Sequence, residues 1–186
     1  IREQLGDFTF RISPRAFYQI NPVQTEVLYR TALEYAGLTG TETVVDAYCG
    51  TGTIGIFASR DAARVIGVEN NRDAVRDAIS NAKANRADNV RFYTADASDF
   101  LQGMAKAGEH ADVIILDPPR AGVDQPVIDV ILRAAPERIV YVSCNPATQA
   151  RDLALMDGAY RVEAVQPVDM FPHTHHVENV VKLVRR

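Results

Sequence analysis

The chain has 186 residues, of which 47% are hydrophobic and 24% are charged, and its formal net charge is −4. This balance is typical of one globular domain and excludes a disordered chain, and the negative charge argues against a domain whose affinity rests mainly on phosphate contacts. No apolar stretch approaches the roughly 18 residues of a membrane-spanning helix and no secretion signal begins the chain, so we expect a cytoplasmic protein that binds no membrane.

The first part of the chain predicts a strand and a helix. The sequence starts without Met and directly in strand-like residues, Phe8 to Ser13, so we expect residues 1–186 to be one domain cut from a longer protein. A helix is predicted over residues 23–37, because apolar residues recur at helical spacing and Gly37 is suited to end it. The apolar positions of this pattern are Val23, Val27, Leu28, Ala32 and Tyr35.

Short β-branched runs then alternate with helical patterns. The runs are TVVDA (43–47), RVIGVE (64–69), VRFYT (90–94), DVIILD (112–117) and RIVYVS (138–143). A helix is predicted from about Arg72, with an apolar face made of Val75, Ala78, Ile79 and Ala82. Nearly continuous apolar strands separated by helices are typical of a parallel sheet that is covered on both faces.

The end of the chain predicts two further strands, YRVEAVQPVDM and VENVVKLVR, joined by the loop FPHTHH. So short a connection favours an antiparallel pair. The predicted fold class is therefore α/β, a doubly wound, Rossmann-like sheet that is mostly parallel with an antiparallel C-terminal edge pair. Ligands of such sheets bind beyond the carboxyl ends of the strands. The polar residues expected there are Asp46, Glu69, Asp96, Asp117 and Cys144.

A glycine-rich loop follows the first of these buried strands. The stretch DAYCGTGTIG contains G-x-G-x-x-G at Gly50, Gly52 and Gly55, and Glu69 comes about 20 residues later, at the end of the next strand. This pattern satisfies the dinucleotide fingerprint. An NAD-dependent oxidoreductase is therefore one hypothesis, and glycines that only form a tight turn are another.

The charges near this loop separate two cofactors. A pyrophosphate favours a helix N-terminus without nearby anions, but Asp46 precedes the loop and Asp96 and Asp117 close two further strands. S-adenosylmethionine carries a sulfonium and an ammonium group and no phosphate, so it suits a row of carboxylates. Glu69 can accept hydrogen bonds from ribose hydroxyls of either cofactor. The charges therefore favour S-adenosylmethionine over NAD.

Cys144 follows a buried type of strand in the stretch YVSCNPATQ. By residue type alone it is more often a small buried hydrophobe than a nucleophile. A disulfide with Cys49 is disfavoured because two cysteines are too few for a disulfide framework. Zinc is disfavoured because no C-x-x-C accompanies the nearby histidines, which are His173, His175 and His176.

The stretch LDPPRAGVD places Asp117 at a strand end and stiffens the following loop with two prolines. Some methyltransferases that modify exocyclic amines have an aromatic residue after the two prolines, where it stacks on the flipped base. Arg120 occupies that position here, which argues against amine methylation and supplies a guanidinium for a phosphate or base. The alternative is that Arg120 is a solvated loop residue.

Five motifs occur in order along nearly the whole chain: FYQINP, DAYCGTGTIG, LDPPRAGV, VSCNPATQARDL and VDMFPHTHHVENVVKL. Together they resemble the catalytic domain of the RNA 5-methyluridine (uracil-C5) methyltransferases, and DMFPHTHHVE is more similar to the 23S rRNA members than to the tRNA members. The resemblance implies methyl transfer from S-adenosylmethionine to C5 of a uridine in RNA, with 23S rRNA as the partner. It also implies that an N-terminal RNA-binding domain is missing. Independently of the resemblance, a monomer is the default expectation.

The resemblance implies that Cys144 is the nucleophile that adds to C6 of uracil and that Glu178 is the base that removes the C5 proton. By residue type alone Glu178 is more often a solvated strand residue. No metal is implied, and His175 and His176 either orient Glu178 or contact RNA. A cofactor-binding module without catalytic activity is a further hypothesis. The cofactor contacts implied by the resemblance are Gln19, Tyr48, Gly50, Thr53, Glu69, Asp96 and Asp117.

Overall fold

The computed structural model describes residues 2–12, 21–174 and 176–186, which form a two-stranded hairpin and a seven-stranded sheet with helices on both faces. The strands are β1 (Arg2–Leu5), β2 (Phe8–Arg11), β3 (Thr43–Ala47), β4 (Arg64–Glu69), β5 (Val90–Thr94), β6 (Val113–Leu116), β7 (Arg138–Ser143), β8 (Tyr160–Val168) and β9 (Glu178–Arg185). The helices are α1 (Pro22–Ala36), α2 (Thr53–Ala58), α3 (Arg72–Ala84), α4 (Ala97–Lys106), α5 (Gln125–Ala134) and α6 (Pro146–Met156).

The large sheet has the strand order β5-β4-β3-β6-β7-β9-β8. Strands β3 to β7 are parallel, and β9 runs antiparallel to both β7 and β8. This order confirms the predicted doubly wound α/β fold with an antiparallel C-terminal edge pair. The chain proceeds outward from β3 to β5 and then returns to build the other half from β6, so the switch point between β3 and β6 is where a ligand crevice is expected.

Each face of the sheet is covered by its own helical layer, because the central strands are apolar on both faces. The first core cluster joins α1, α2 and α3 to the sheet through residues such as Leu28, Ile54 and Ala82. The second joins α4, α5 and α6 through residues such as Leu101, Ile128 and Met156. No helix among the described residues is both long and apolar enough to cross a lipid bilayer.

Helix α1 begins and ends close to the predicted bounds. The Asn21 side chain caps its first turn by accepting a hydrogen bond from the Gln24 amide at 3.2 Å, and Gly37 ends it in the left-handed conformation. Its buried face differs from the prediction, because Val23 is 72% exposed and Val27 is 45% exposed. The buried stripe instead consists of Thr25, Leu28, Tyr29, Ala32 and Ala36, and the Thr25 hydroxyl is satisfied within the helix by the Asn21 carbonyl.

Helix α3 begins at Arg72, as predicted, but one member of its predicted apolar face is wrong. Val75, Ala78 and Ala82 are buried, whereas Ile79 is 50% exposed. The polar Asn81 is buried in its place, because the β1–β2 hairpin packs on that side of the helix. The predicted strand at residues 8–13 is β2 of this hairpin and does not join the large sheet.

Candidate active site

The strand register gathers four predicted residues at one edge of the sheet. Asp46 near the end of β3 pairs with Ile115 of β6, and Asp117 directly follows β6. Cys144 directly follows β7, whose last residue, Ser143, pairs with Asn179 of β9. Because β9 is antiparallel to β7, its first residue, Glu178, lies at the carboxyl end of β7. The two predicted catalytic residues therefore come from neighbouring strand ends.

The glycine loop between β3 and α2 is tightly folded. Tyr48 and Gly52 both have positive φ values, of 63° and 82°. A Cβ atom on Gly52 would lie 2.6 Å from the Phe92 ring and 2.9 Å from the Ala78 Cβ. Only glycine fits this combination of backbone conformation and close packing. Tyr48 adopts a backbone conformation that non-glycine residues rarely accept. Such strained residues occur preferentially at binding and active sites.

Glu69 joins the end of β4 to this loop. Its Oε2 atom accepts a hydrogen bond from the Gly50 amide at 3.1 Å, and its Oε1 atom accepts one from the Asn71 amide at 2.9 Å. A carboxylate oxygen has two lone pairs, so each oxygen retains one for another donor. Glu69 can therefore hold the loop and accept hydrogen bonds from ribose hydroxyls at the same time.

Asp46 is fully buried beneath the loop. Its Oδ2 atom accepts a hydrogen bond from the Gly55 amide at 2.8 Å, whereas its Oδ1 atom finds no partner among the described residues. Burial raises the pKa of Asp46 to about 7, and the nearby Glu69 carboxylate adds to that rise against the lowering effect of the Gly55 amide. An unpaired buried acceptor is costly, so Asp46 offers an acceptor to a cationic or hydrogen-bonding ligand.

Two of the other predicted cofactor contacts lie at the starts of the helices that follow β3 and β5. Thr53 is buried at the start of α2, and its Oγ1 atom is 3.3 Å from that of Thr51. Asp96 is exposed and caps α4, because its Oδ1 atom accepts hydrogen bonds from the amides of Ser98 and Asp99. Capping leaves its Oδ2 atom available. Gln19 lies outside the described residues.

Cys144 is partly exposed, and the loop that carries it is fixed by local hydrogen bonds. Asn145 caps α6 by accepting from the Ala147 amide at 3.2 Å, and its own amide donates to the Ser143 hydroxyl at 3.0 Å. Burial raises the pKa of Cys144, the Glu178 and Asp117 carboxylates raise it further, and the Arg120 guanidinium lowers it. The buried cysteine of this chain is Cys49, which is also a free thiol.

Glu178 and Asp117 form an acidic pair next to Cys144. Glu178 is only 4% exposed, so the alternative of a solvated strand residue is wrong. Burial raises the pKa of Glu178. Burial also raises the pKa of Asp117 to about 8, with further contributions from the carboxylates of Glu178 and Asp46. Desolvated carboxyl groups that titrate closer to neutral pH are suited to proton transfer.

Arg120 is exposed at the rim of this site, and its backbone is held firmly. The Arg120 carbonyl accepts hydrogen bonds from the Asn145 Nδ2 atom at 3.3 Å and from the Thr148 hydroxyl at 3.1 Å. Its Nη1 atom lies 3.5 Å from the Nδ1 atom of His176. The loop after β6 is thus attached directly to the loop that carries Cys144, and the side chains of Asn145 and Thr148 make an attachment that sequence reasoning missed.

A buried carboxylate in α6 provides a second attachment that the sequence did not reveal. Asp152 is fully buried and accepts hydrogen bonds from the Val123 amide at 2.8 Å, the Tyr141 hydroxyl at 2.7 Å and the Arg151 guanidinium at 2.7 Å. Gly122 lies so close that a Cβ atom there would be 2.5 Å from the Asp152 carboxylate. The motif QARDL contains Asp152, but residue type and spacing alone did not distinguish it from a solvated helix residue.

A buried pair of side-chain amides connects α6 to β9. The Asn179 Nδ2 atom donates to Gln149 Oε1 at 2.7 Å. The Gln149 Nε2 atom donates to the Tyr141 carbonyl at 2.8 Å and to the Asn179 carbonyl at 3.3 Å. Because Asn179 follows Glu178, this pair fixes the start of β9 relative to β7 and α6.

The histidine-rich loop precedes β9. His173 has a positive φ of 69° and is exposed, and His176 lies beside Arg120, while His175 is outside the described residues. Within the described ranges, histidine, cysteine and acidic residues form no group of three or more that could hold a metal ion. Among the described residues, the contact that this loop makes with the site is the one between His176 and Arg120.

Comparison with known proteins identifies relatives along the full length of the chain. Residues 3–186 match the family model described as tRNA (uracil-5-)-methyltransferase. An uncharacterized RNA methyltransferase of Bacteroides thetaiotaomicron is 57% identical over 185 residues, and one of Porphyromonas gingivalis is 55% identical over 188 residues. These matches include 99% and 100% of this chain but only 41% and 40% of the relatives, so the chain spans about two fifths of their length.

A solved structure gives the same result in three dimensions. The Pyrococcus abyssi tRNA (uracil-54, C5)-methyltransferase, in complex with S-adenosyl-L-homocysteine, superimposes with a TM-score of 0.85 at 38% identity. The superposition covers 99% of this chain and 44% of that one. The resemblance inferred from the five motifs is thereby confirmed at the level of the family, and this chain belongs to the tRNA (uracil-5-)-methyltransferase family.

Proposed function

We propose that this chain is the catalytic domain of an enzyme that transfers a methyl group from S-adenosylmethionine to C5 of a uridine in RNA. The observation that carries the proposal is the position of Cys144 and Glu178. They lie at neighbouring ends of β7 and β9, next to the carboxyl group of Asp117. A thiol and a desolvated carboxyl group together supply the nucleophile and the base that this reaction needs.

The residues of the glycine loop fit the methyl donor better than a dinucleotide. The N-terminal amide that Gly55 contributes from α2 is already bound to Asp46, and α2 has only six residues. A pyrophosphate would therefore meet a carboxylate where it needs free amides. Asp46 and Asp117 suit the cationic end of S-adenosylmethionine, because a bound cation stabilises their charged forms and lowers their raised pKa values. Glu69 suits its ribose. When bound, S-adenosylmethionine supplies an electrophilic methyl group, and the S-adenosyl-L-homocysteine complex of the Pyrococcus abyssi enzyme supports this choice.

The chain's own residues then account for the reaction at the uracil ring. The Cys144 thiolate forms a bond to C6, and the electron pair of the C5–C6 double bond becomes an enolate that makes C5 nucleophilic. Once C5 carries the methyl group, the Glu178 carboxylate accepts the C5 proton. The electron pair left behind restores the double bond, and Cys144 leaves as a thiolate. The positive charge of Arg120 lowers the Cys144 pKa. It therefore favours the thiolate both when Cys144 attacks C6 and when Cys144 leaves.

The RNA substrate must present its uracil outside the base stack to reach Cys144. We propose ribosomal RNA as the target, because DMFPHTHHVE resembles the 23S rRNA members. The descriptions of the family model and of the Pyrococcus abyssi structure name tRNA, which makes tRNA the competing target. An enzyme with this target works in the cytoplasm, and a monomer is sufficient because both proposed catalytic residues come from one chain. Mass spectrometry of RNA from cells that lack the gene identifies the uridine that loses its methyl group.

RNA that contains 5-fluorouridine tests the proposed chemistry. Fluorine at C5 cannot be removed as a proton, so the full-length enzyme with S-adenosylmethionine should form a covalent complex that survives denaturing electrophoresis. Cys144→Ala should abolish the complex, and Cys49→Ala should retain it. A complex that persists in Cys144→Ala would exclude Cys144 as the nucleophile. A protein that methylates no RNA but still binds S-adenosyl-L-homocysteine would be the non-catalytic module.

Glu178→Gln tests the base. This variant should accumulate a covalent complex on unmodified RNA and lose turnover by about 100-fold or more, which is the usual contribution of a general base. Glu163→Gln is a matched control, because Glu163 is an exposed residue of the adjacent strand β8. Normal turnover by Glu178→Gln would remove Glu178 from the role of base.

A further inference from the structure

Two asparagines at the C-terminal end of α3, Asn81 within the helix and Asn85 directly after it, bind the hairpin strand β2 in the same way. Asn85 accepts a hydrogen bond from the Thr9 amide at 2.9 Å and donates one to the Thr9 carbonyl at 2.8 Å. Asn81, one helical turn earlier, accepts from the Arg11 amide at 2.7 Å and donates to the Arg11 carbonyl at 3.0 Å. Each side-chain amide thus pairs with one residue of β2 as a neighbouring strand would.

Asn81 differs from Asn85 in a third hydrogen bond. Its Nδ2 atom also donates to the Thr51 carbonyl, at 3.1 Å, whereas the Nδ2 atom of Asn85 turns back to the Asn81 carbonyl at 2.8 Å. Asn81 is 1% exposed, so its three bonds are formed away from water and are costly to lose. Of these two asparagines, Asn81 is the one that reaches the glycine loop.

The carbonyl that Asn81 binds is at the centre of the glycine loop. Thr51 lies between Gly50 and Gly52, both of which have positive φ values. On the other side of the loop, the Gly50 amide is held by Glu69, the proposed ribose-binding residue. Ala78, one turn before Asn81, packs where a side chain on Gly52 would lie. Helix α3 therefore contacts the loop in two ways, by packing of Ala78 against Gly52 and by the hydrogen bond from Asn81 to the Thr51 carbonyl.

We propose that Asn81 is a positioning residue for the methyl-donor site: it holds the Thr51 carbonyl, and with it the glycine loop, in the conformation that binds the adenosyl ligand. This inference deepens the proposed function and rests on it, because the ligand is the proposed methyl donor. Asn81 does not touch the ligand in this role. It acts through the loop backbone and couples that backbone to the hairpin.

Asn81→Ala and Asn85→Ala form a matched pair for the test, because both release one residue of β2 and only the first releases the loop. Calorimetric titration of the full chain with S-adenosyl-L-homocysteine should show an affinity weakened by about tenfold or more in Asn81→Ala, and by less than about twofold in Asn85→Ala. Hydrogen exchange of the unliganded proteins should be faster at residues 49–53 in Asn81→Ala alone.

Asn81→Ser is the second variant if Asn81→Ala does not fold. A serine hydroxyl can hydrogen-bond within the helix, which avoids a buried unpaired polar group, but it is too short to reach the Thr51 carbonyl, so it should weaken the affinity as well. Equal affinity in folded Asn81 variants and the unchanged protein, or equal losses in Asn81→Ala and Asn85→Ala, would overturn the inference. Failure of the unchanged protein to bind S-adenosyl-L-homocysteine would count against the proposed function, and the exchange comparison would then decide the role of Asn81.

Discussion

In their proposed roles, Cys144 and Glu178 must each carry a negative charge, although both side chains are partly or largely removed from water. Burial raises the pKa of both groups, and their mutual proximity raises that of Cys144 further. Each reactive form is therefore favoured by increasing pH. The Arg120 guanidinium opposes this effect on Cys144. It provides charge compensation from the rim of the site without being buried itself.

Arg120→Gln should move the pH dependence of adduct formation to higher pH. Without the guanidinium the Cys144 pKa rises, so a higher pH is needed for the same fraction of thiolate. The rate of covalent complex formation with 5-fluorouridine RNA is measured at saturating RNA, from about pH 6 to about pH 9. Arg133→Gln, which removes an exposed charge on α5, is the control. Superimposable profiles for Arg120→Gln and the unchanged protein would show that Arg120 does not tune the thiol.

Gly52→Ala should impair both stability and ligand binding. Its positive φ and the Phe92 ring at 2.6 Å from the new methyl group require the loop or the ring to move, at a cost of about 1–3 kcal/mol. Gly103→Ala is the matched control, because Gly103 lies within α4 with nothing within 4 Å of a new Cβ atom. It should stabilise the protein by about 0.5–1 kcal/mol. Urea denaturation measures the free energy of unfolding of Gly52→Ala and Gly103→Ala. Equal changes in the two variants would contradict the packing argument.

At the scale of elements, α6 organises the substrate side of the site. Three of its residues attach it to neighbours: Thr148 to the Arg120 carbonyl, Gln149 to Asn179, and Asp152 to Val123 and Tyr141. The loop after β6, the Cys144 loop and the start of β9 are therefore fixed to one helix. Their relative positions depend on buried polar contacts rather than on apolar packing alone.

Asp152→Ala should destabilise the protein by about 3–5 kcal/mol, because it leaves the Val123 amide and the Tyr141 hydroxyl buried without an acceptor. Tyr141→Phe removes one hydroxyl and should cost about 1 kcal/mol. Asp129→Ala, on the exposed side of α5, should change stability by less than about 0.5 kcal/mol. Urea unfolding at constant pH gives all three values. If Asp152→Ala cost no more than Tyr141→Phe, Asp152 would not be the centre of this network.

The elements were predicted well where local chemistry determines them. Strands β3, β4, β5 and β7 have the predicted bounds, because each is a short run rich in β-branched or aromatic residues that is bounded by polar residues or turn signals. The errors concern which face of a helix is buried. On α1, Val23 is apolar but exposed. On α3, Ile79 is apolar but exposed and Asn81 is polar but buried, because the hairpin β1–β2 determines which side of that helix is covered. No sequence period contains that information.

The candidate site shows the same division between local and tertiary information. The glycine loop, Asp117 and Cys144 could be located from strand ends alone, since the fold determines where strand ends meet. The position of Glu178 against Cys144 needed the antiparallel register of β7 and β9. Asn81, Gln149 and Asp152 could not be found in advance, because buried polar contacts join residues that are far apart in the chain.

At the scale of the whole molecule, the charge of the chain conflicts with a nucleic-acid substrate. A formal net charge of −4 provides little general attraction for RNA, and the chain spans only about two fifths of its relatives. The described sheet edge contains the proposed nucleophile, the proposed base and carboxylates suited to a cationic donor. We therefore propose that chemistry and most of the affinity for RNA belong to different parts of the full-length protein.

This division predicts weak RNA binding by the 186-residue chain. Its Kd for a uridine-containing RNA hairpin should lie in or above the range of about 10⁻⁶ to 10⁻⁴ M that is usual for non-specific binding near physiological salt. The full-length relative from Bacteroides thetaiotaomicron should bind the same hairpin more tightly and lose affinity more steeply as salt increases, because more phosphates are neutralised. Fluorescence anisotropy at several salt concentrations measures both quantities. Equal affinities and equal salt slopes would mean that this chain holds the RNA contacts itself, in a basic surface that outweighs its net charge.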